Sequence, residues 1–279
     1  MSLLAAVGQF CATCIVSFNK ATCQDLVRQA SQRGAKMIFL PEASDFISKD
    51  KEQTLDLTRP LNDSEFLKGL VETAQEHKIW VSVGVHESSN VSDKVYNTHV
   101  VLNHQGRIVS TYRKLHLFNV DIEGGPRLME SDGTLQGDQL PGLIQTPLGK
   151  LGLETCYDMR FPELSLALRT KGAQLLAFPS AFTIKTGMAH WEVLLRARAI
   201  ETQSYVFAAA QTGQHNEKRA SYGNSMIVDP WGTVLARCPD TTEPSVVMAN
   251  VDLDYLTKIR TEMPVMQHRR NDIYPGFVC

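Results

Sequence analysis

No apolar run in this 279-residue chain approaches the roughly 20 residues that a membrane-spanning helix needs, so no membrane partner is expected. Charge of one sign is not in excess either: the formal net charge is -2 at pH 7. Phosphate backbones call for a basic surface. The only tight basic run, His268-Arg269-Arg270, is too short to supply one, so nucleic acid is not an expected partner. Repeats, low-complexity tracts and linker-like stretches are absent. Residues 1–279 therefore read as one domain, with a core over about residues 3–252 and a C-terminal helix and tail over 253–279. Met1 to Phe10 shows no positive n-region and no cleavage-site pattern, so no signal peptide is expected and the cytoplasm is the expected compartment.

Cysteine is sparse and scattered. Cys11, Cys14, Cys23, Cys156, Cys238 and Cys279 form no framework, and structural disulfides are not expected in a chain of this size without an export signal. Cys11-Ala-Thr-Cys14 has the Cys-x-x-Cys form. A zinc site needs a second pair at suitable spacing and none exists, so no metal is expected.

What is present is the patterning of a globular α/β chain. Apolar runs such as Leu4–Phe10, Lys36–Leu40, Trp80–Val85, Leu151–Cys156, Gln174–Phe178, Tyr205–Ala210 and Val246–Val251 predict strands. Amphipathic stretches over Phe18–Arg33, Ser64–His77, Phe161–Thr170, Ala189–Gln203 and Leu253–Glu262 predict helices. Val95–Leu102 with Arg107–Leu115 predicts one hairpin. Ser221–Val228 with Thr233–Arg237 predicts another, around Asp229-Pro-Trp-Gly232. Strands alternating with helices, with hairpins inserted, imply α/β with mixed sheets. Val120–Gln139, rich in Gly, Asp and Glu, is the least patterned segment, and a loop that long inside a compact domain usually serves function.

Three segments carry chemistry: Phe39-Leu-Pro-Glu42, Tyr112-Arg-Lys114-Leu-His116 and Gly152-Leu-Glu-Thr-Cys156-Tyr-Asp158-Met-Arg160-Phe-Pro-Glu163. Taken singly, each has an ordinary structural explanation: a packed thiol, a helix cap, an exposed hairpin charge. Together they place a nucleophile, a carboxylate and a cation at or near strand ends, where α/β folds expose working side chains.

These segments resemble the nitrilase superfamily, and the similarity extends over essentially the whole chain. Phe178-Pro-Ser-Ala-Phe182, Thr186-Gly187 with His190-Trp-Glu192, Leu195–Ile200, Ser221–Gly232 and Gln267–Tyr274 fall in the expected order. Within it, the chain is most similar to the Nit branch, whose best-known activity is hydrolysis of deaminated glutathione. The resemblance implies a four-layer α-β-β-α sandwich that dimerises or assembles further through its helical layer. It implies an amidase acting on a small amide without any cofactor, with Cys156 as nucleophile, Glu42 as general base and Lys114 as oxyanion stabiliser, helped by the Tyr157 backbone N–H. Glu130 is implied as a second carboxylate, with a solvated loop charge as the alternative. Arg160, Phe182, Thr186 and His190 are the substrate-binding candidates, and Arg160 has an ion pair with Asp158 or Glu163 as its alternative. His116, Arg196 with Glu192, and Trp231 are expected to be structural.

One position departs from the family pattern. Glu154 and Thr155 stand where a small residue and a branched apolar one are expected. On a period of two, Glu154 faces the same way as Cys156 if the strand stays regular to its end. It would then be a costly buried carboxylate and would raise the Cys156 pKa. Three readings follow: an ω-amidase for a carboxylate-bearing amide, the same scaffold acting on another amide, carbamoyl group or nitrile, or a scaffold that has lost turnover through Glu154.

Overall fold

The computed structural model describes residues 3–121, 123 and 127–273; Met1, Ser2, Ile122, residues 124–126, Tyr274 of the closing motif and Cys279 lie outside that range. Two sheets face each other. The first has a spine of parallel strands, Leu3–Phe10, Met37–Phe39 and Trp80–Ser88. It continues through Val95–Leu102 and Ile108–Arg113 on one side and through Ala210–Asn216 and Arg219–Tyr222 on the other. The strand Ser245–Val251 pairs antiparallel with Leu3–Phe10. The second sheet is built around parallel Gly149–Leu153, Leu175–Ala177 and Tyr205–Ala208.

The side-chain parity of the strands sets the layers. Every residue from Ala5 to Phe10 is buried, as in a strand covered on both faces. Ala5 and Val7 pack toward the second sheet with Phe39, Leu151, Leu153 and Phe207. Ala6 and Phe10 pack the other way, against Leu26, Val27, Phe66 and Leu70 of the helices Val16–Gln32 and Glu65–His77. Phe39 and Phe207 stack across the sheet interface with centroids 4.3 Å apart. On the second sheet, Leu151 and Leu153 face inward. A Cβ on the intervening Gly152 would lie 3.0 Å from Leu168, so the outer face meets the helix Pro162–Thr170. The helix Ile184–Thr202 joins it through Trp191, Leu195 and Ala199. The architecture is the expected four-layer α-β-β-α sandwich.

Several elements differ from expectation for identifiable reasons. Ser221–Val228 is not one strand: Arg219–Tyr222 belongs to the first sheet and Met226–Val228 to the second. Gly223 (φ 75°) and Asn224 (φ 64°) turn the chain between them through the left-handed region. The helix expected from Ala189 begins at Ile184. Lys51–Leu57 is helical although it buries no residue, so it carries no apolar periodicity, and Asp50 caps it by accepting from Gln53 N at 2.9 Å. Within the unpatterned loop, Asn119–Asp121 pairs with Arg127–Met129.

Candidate active site

Glu42, Lys114 and Cys156 each follow a strand end by one to three residues. Met37–Phe39 stops before Pro41, which cannot donate to the ladder. Gly84 N donates to Pro41 O at 3.0 Å, and a Cβ on Gly84 would sit 2.6 Å from Glu42 Cα, so only glycine permits this approach. Gln211 Nε2 donates to Glu42 O at 3.0 Å. The Glu42 backbone is thus gripped from both sides.

The carboxylates meet on one ammonium. Lys114 Nζ donates to Glu42 Oε1 at 3.1 Å and to Glu130 Oε2 at 2.9 Å. Asn97 Nδ2 donates to Glu42 Oε1 at 2.7 Å and to Glu130 Oε1 at 3.1 Å. Phe118 N adds a bond to Glu130 Oε2 at 2.7 Å. Burial works against the Lys114 ammonium, but Glu130 and Glu42 outweigh it and hold its pKa well above the ordinary lysine value. Burial likewise opposes Glu130 ionisation, and Lys114, by charge and hydrogen bond, together with the bonds from Phe118 N and Asn97, more than compensates, holding Glu130 below the usual carboxylate range. Glu130 is therefore an ionised partner of Lys114 and not a solvated loop charge. Asn97 was not evident from sequence; its one signal is an amide inside a strand, where asparagine is disfavoured.

Cys156 is buried and opens the short 3-10 helix Cys156–Arg160. Its φ is +48°, sparsely populated for a residue with a Cβ, and its N–H donates to Pro179 O at 3.0 Å. Burial first, then the Glu42 charge, push the thiol well above its ordinary pKa, with Lys114 and a backbone hydrogen bond at Ala181 pulling the other way. The shift favours the thiol form, and the group is hydrogen-bonded to Glu42, a carboxylate within reach of its proton.

Asp158 ties the segments together. It is fully buried and accepts from Thr155 N at 2.9 Å, Tyr112 OH at 2.7 Å and His116 N at 3.1 Å. His116 Nδ1 also meets it at 2.7 Å, and the His116 ring stacks on Phe161 with centroids 3.7 Å apart. The residues flanking Lys114 are thereby fastened to the turn of Cys156, and His116 is structural.

Glu154 does not face Cys156. The strand ends at Leu153, so the period-two parity does not carry to Cys156. The Glu154 side chain turns to the outer helix, where Ser165 Oγ lies 2.9 Å from Oε1 and 2.8 Å from Oε2. Burial pushes its pKa well above the usual range, more than the Ser165 hydrogen bond lowers it, so the group is a neutral acid. It is not among the charges that raise the Cys156 pKa. A folded-state pKa above the unfolded value means that stability is lost as pH rises past the unfolded value of about 4.3. Glu154→Gln keeps the neutral shape and removes that loss. Its stability gain over wild type should grow between pH 4 and 7, by up to about 1.4 kcal/mol per pH unit, in urea melts. A pH-independent difference would show that Glu154 is ionised in the folded protein.

A cavity of about 700 Å³ opens at this site, and its wall includes Glu42, Lys114, Glu130, Cys156, Tyr157 and Arg160. Phe182 and Thr186 also line it. His190 does not: it lies on an exposed part of its helix and meets Arg160 Nη2 through Nδ1 at 3.2 Å. Arg160 forms no ion pair with Asp158, which is taken up by Tyr112 and His116, nor with Glu163. Its guanidinium lies over Tyr157 and Phe182, 5.7 and 5.6 Å from the ring centroids. Among the described residues, no group of three or more His, Cys, Asp or Glu could hold a metal ion. Nor is any helix among them long and apolar enough to cross a membrane.

A buried thiol beside a carboxylate and a paired ammonium, at the open end of a four-layer sandwich, can cleave amides through the sulfur. The chain belongs to the carbon–nitrogen hydrolase family, whose model matches residues 4–261, and it is a hydrolytic amidase of the nitrilase superfamily. It is 52% identical over 275 residues to deaminated glutathione amidase of Homo sapiens, covering 97% of this chain and 83% of that one. Among solved structures it is similar to the C. elegans NitFhit protein, with TM-score 0.93 and 45% identity over 98% of this chain and 66% of that one. It is also similar to Saccharomyces cerevisiae Nit3, a member of branch 10 of the nitrilase superfamily, with TM-score 0.84 and 28% identity over 96% and 97% of the two chains.

Proposed function

We propose that this amidase cleaves a small carboxylate-bearing amide, deaminated glutathione or a related 2-oxo acid ω-amide, through a thioester on Cys156. The observation that carries the substrate class is Arg160: a guanidinium on the cavity wall with no carboxylate partner among the described residues. Such a group can hold a substrate carboxylate through two parallel hydrogen bonds. The name of the human relative points to the same chemistry.

In this mechanism Cys156 Sγ attacks the amide carbonyl as its proton passes to Glu42. The oxyanion forms against Lys114 and the Tyr157 N–H. The C–N bond then breaks and Glu42 returns the proton to the leaving nitrogen, releasing ammonia from a primary amide or cysteinylglycine from deaminated glutathione. Water, deprotonated by Glu42, attacks the thioester. The C–S bond breaks, the acid departs and the proton returns to sulfur. Glu130 and Asn97 hold the Lys114 ammonium and the Glu42 carboxylate in place and do not exchange protons. Loss of turnover through Glu154 has no support, because that side chain is directed away from the thiol.

The same reading takes residues 1–279 as one hydrolase domain, since Leu3–Phe10 contributes to both packed layers. It places the enzyme in the cytoplasm, where the thiol stays reduced. It also pairs the helical layer with a second copy. Met188 and Val193 on the outer helix are 72% and 67% exposed, and Trp231, expected to pack, is 56% exposed in the turn whose Gly232 meets Arg196 of the same helix, apolar surface better suited to an interface than to water.

The test is product release from a panel of amides. Deaminated glutathione and 2-oxo acid ω-amides are expected to be hydrolysed. Arg160→Leu should lower kcat/KM for anionic amides about 10- to 100-fold relative to neutral ones. An unchanged preference would remove Arg160 from recognition.

A further inference from the structure

We infer that the cavity carries a second anion subsite, formed by Lys218 and Arg219, which receives a carboxylate on the leaving group of an extended amide. The inference rests on the amidase reading of the site and defines its substrate more narrowly: a dianion with one carboxylate on either side of the scissile bond.

Size is the first argument. The cavity, at about 700 Å³, is well above the lower end of ligand pockets, about 300 Å³, and has room beyond what a five-carbon ω-amide would fill. Charge is the second. Half of the lysines and arginines on its wall are already engaged. Lys114 is held by Glu42 and Glu130. Lys51 Nζ reaches Asp93 Oδ2 at 3.1 Å and Asp132 O at 2.8 Å. Lys49 Nζ lies 4.0 Å from Asp50. Arg160, Lys218 and Arg219 line the same cavity and have no carboxylate partner among the described residues. The nearby acids are also occupied: Asp50 caps a helix, and Asp132 meets Arg127 at 3.6 Å.

Placement is the third. Lys218 and Arg219 sit at the turn between Ala210–Asn216 and Arg219–Tyr222, which belong to the first sheet. Arg160 follows the nucleophile on the second sheet's side of the sandwich. The turn is fixed: Lys218 N and Arg219 N donate to Asn216 Oδ1 at 3.0 and 3.1 Å, and Asn216 Nδ2 donates to Ser48 O at 3.1 Å. Cations from the two halves of the sandwich therefore share one cavity with the thiol. A substrate whose acyl-side carboxylate reaches Arg160 would direct its leaving group to the other half. Deaminated glutathione has this form, with a 2-oxo acid on the acyl side and a glycyl carboxylate on the amine side. The leaving amine takes its proton from Glu42, so the subsite adds binding and no chemical step.

Because both side chains are exposed, their effect is screened by salt and falls mainly on KM. The experiment compares deaminated glutathione with 2-oxoglutaramate, which lacks the second carboxylate, in wild type and in the Lys218→Gln/Arg219→Gln double variant. At low ionic strength, the ratio of kcat/KM for deaminated glutathione to that for 2-oxoglutaramate should fall about 5- to 30-fold in the double variant. Added salt should reduce that gap, and Lys218→Arg/Arg219→Lys should restore the ratio. An unchanged ratio would overturn the subsite. A wild-type enzyme that cleaves 2-oxoglutaramate but not deaminated glutathione would overturn it while leaving the amidase reading standing. A wild type that cleaves neither would overturn both.

Discussion

Replacing Cys156 with alanine is expected to abolish turnover while the protein stays folded. Loss of a nucleophile that works as part of a unit costs up to about 10⁶-fold, and among the described residues Cys156 carries the one thiol on the cavity wall. The fold has little reason to change. The Cys156 contact that fixes the turn is its backbone N–H to Pro179 O at 3.0 Å, which alanine keeps. Alanine at φ +48° is no worse placed than cysteine. Serine is also expected to be nearly inactive. Burial and the Glu42 charge already push the thiol well above its ordinary pKa, and an alcohol is a far weaker acid that the same carboxylate cannot deprotonate. The checks are kcat/KM, a melting curve, and mass spectrometry after an acid quench. Wild type should carry the acyl group of its substrate on Cys156, and neither variant should. Turnover retained in a folded alanine variant would remove Cys156 from the mechanism.

How far such a site can be read from sequence follows from which contacts are local. The helix expected from Ser64 starts there, and the Ser64 side chain caps it by accepting from Leu67 N at 3.3 Å. Leu4–Phe10 reads as a strand because covered strands are continuous apolar runs. Glu42, Lys114 and Cys156 could be singled out because each lies in a recognisable segment at or near a strand end. The contacts among them could not, since they cross the chain: Asn97 meets residues 55 and 33 positions away, and Gln211 reaches Glu42 from 169 positions away. Parity arguments failed where the backbone leaves the regular region. The strand stops at Leu153 and Cys156 is left-handed, so Glu154 faces Ser165 and not the thiol. At Gly223-Asn224, two positive φ values split what reads as one strand between two sheets. The helix Lys51–Leu57 was invisible because it buries nothing and so has no apolar face to betray it.

Lys114→Ala is expected to lower kcat about 100- to 1000-fold, with a smaller change in KM, because an oxyanion donor acts on a charge that exists only beyond the ground state. The geometry adds a second, independent consequence. Lys114 is the cation that Glu42 and Glu130 share, at 3.1 and 2.9 Å, and its side chain is 2% exposed. In wild type, Lys114 with the bonds from Phe118 N and Asn97 outweighs burial and holds Glu130 below the usual carboxylate range. Glu130 then contributes stability above its unfolded pKa of about 4.3, and that contribution is lost as pH falls through the depressed folded value. Without Lys114, burial is opposed only by the hydrogen bonds from Phe118 N and Asn97, so the carboxyl is pushed up relative to wild type and the contribution shrinks. The variant should therefore be less stable than wild type at pH 7, by about 3–5 kcal/mol, and the deficit should shrink as pH falls toward 4. Lys114→Met tests the same point with closer volume and should show the same pH trend. A variant whose KM rises sharply at unchanged kcat would make Lys114 a substrate-binding residue. A stability deficit that stays constant from pH 7 to 4 would show that Glu130 does not depend on this ammonium for its charge.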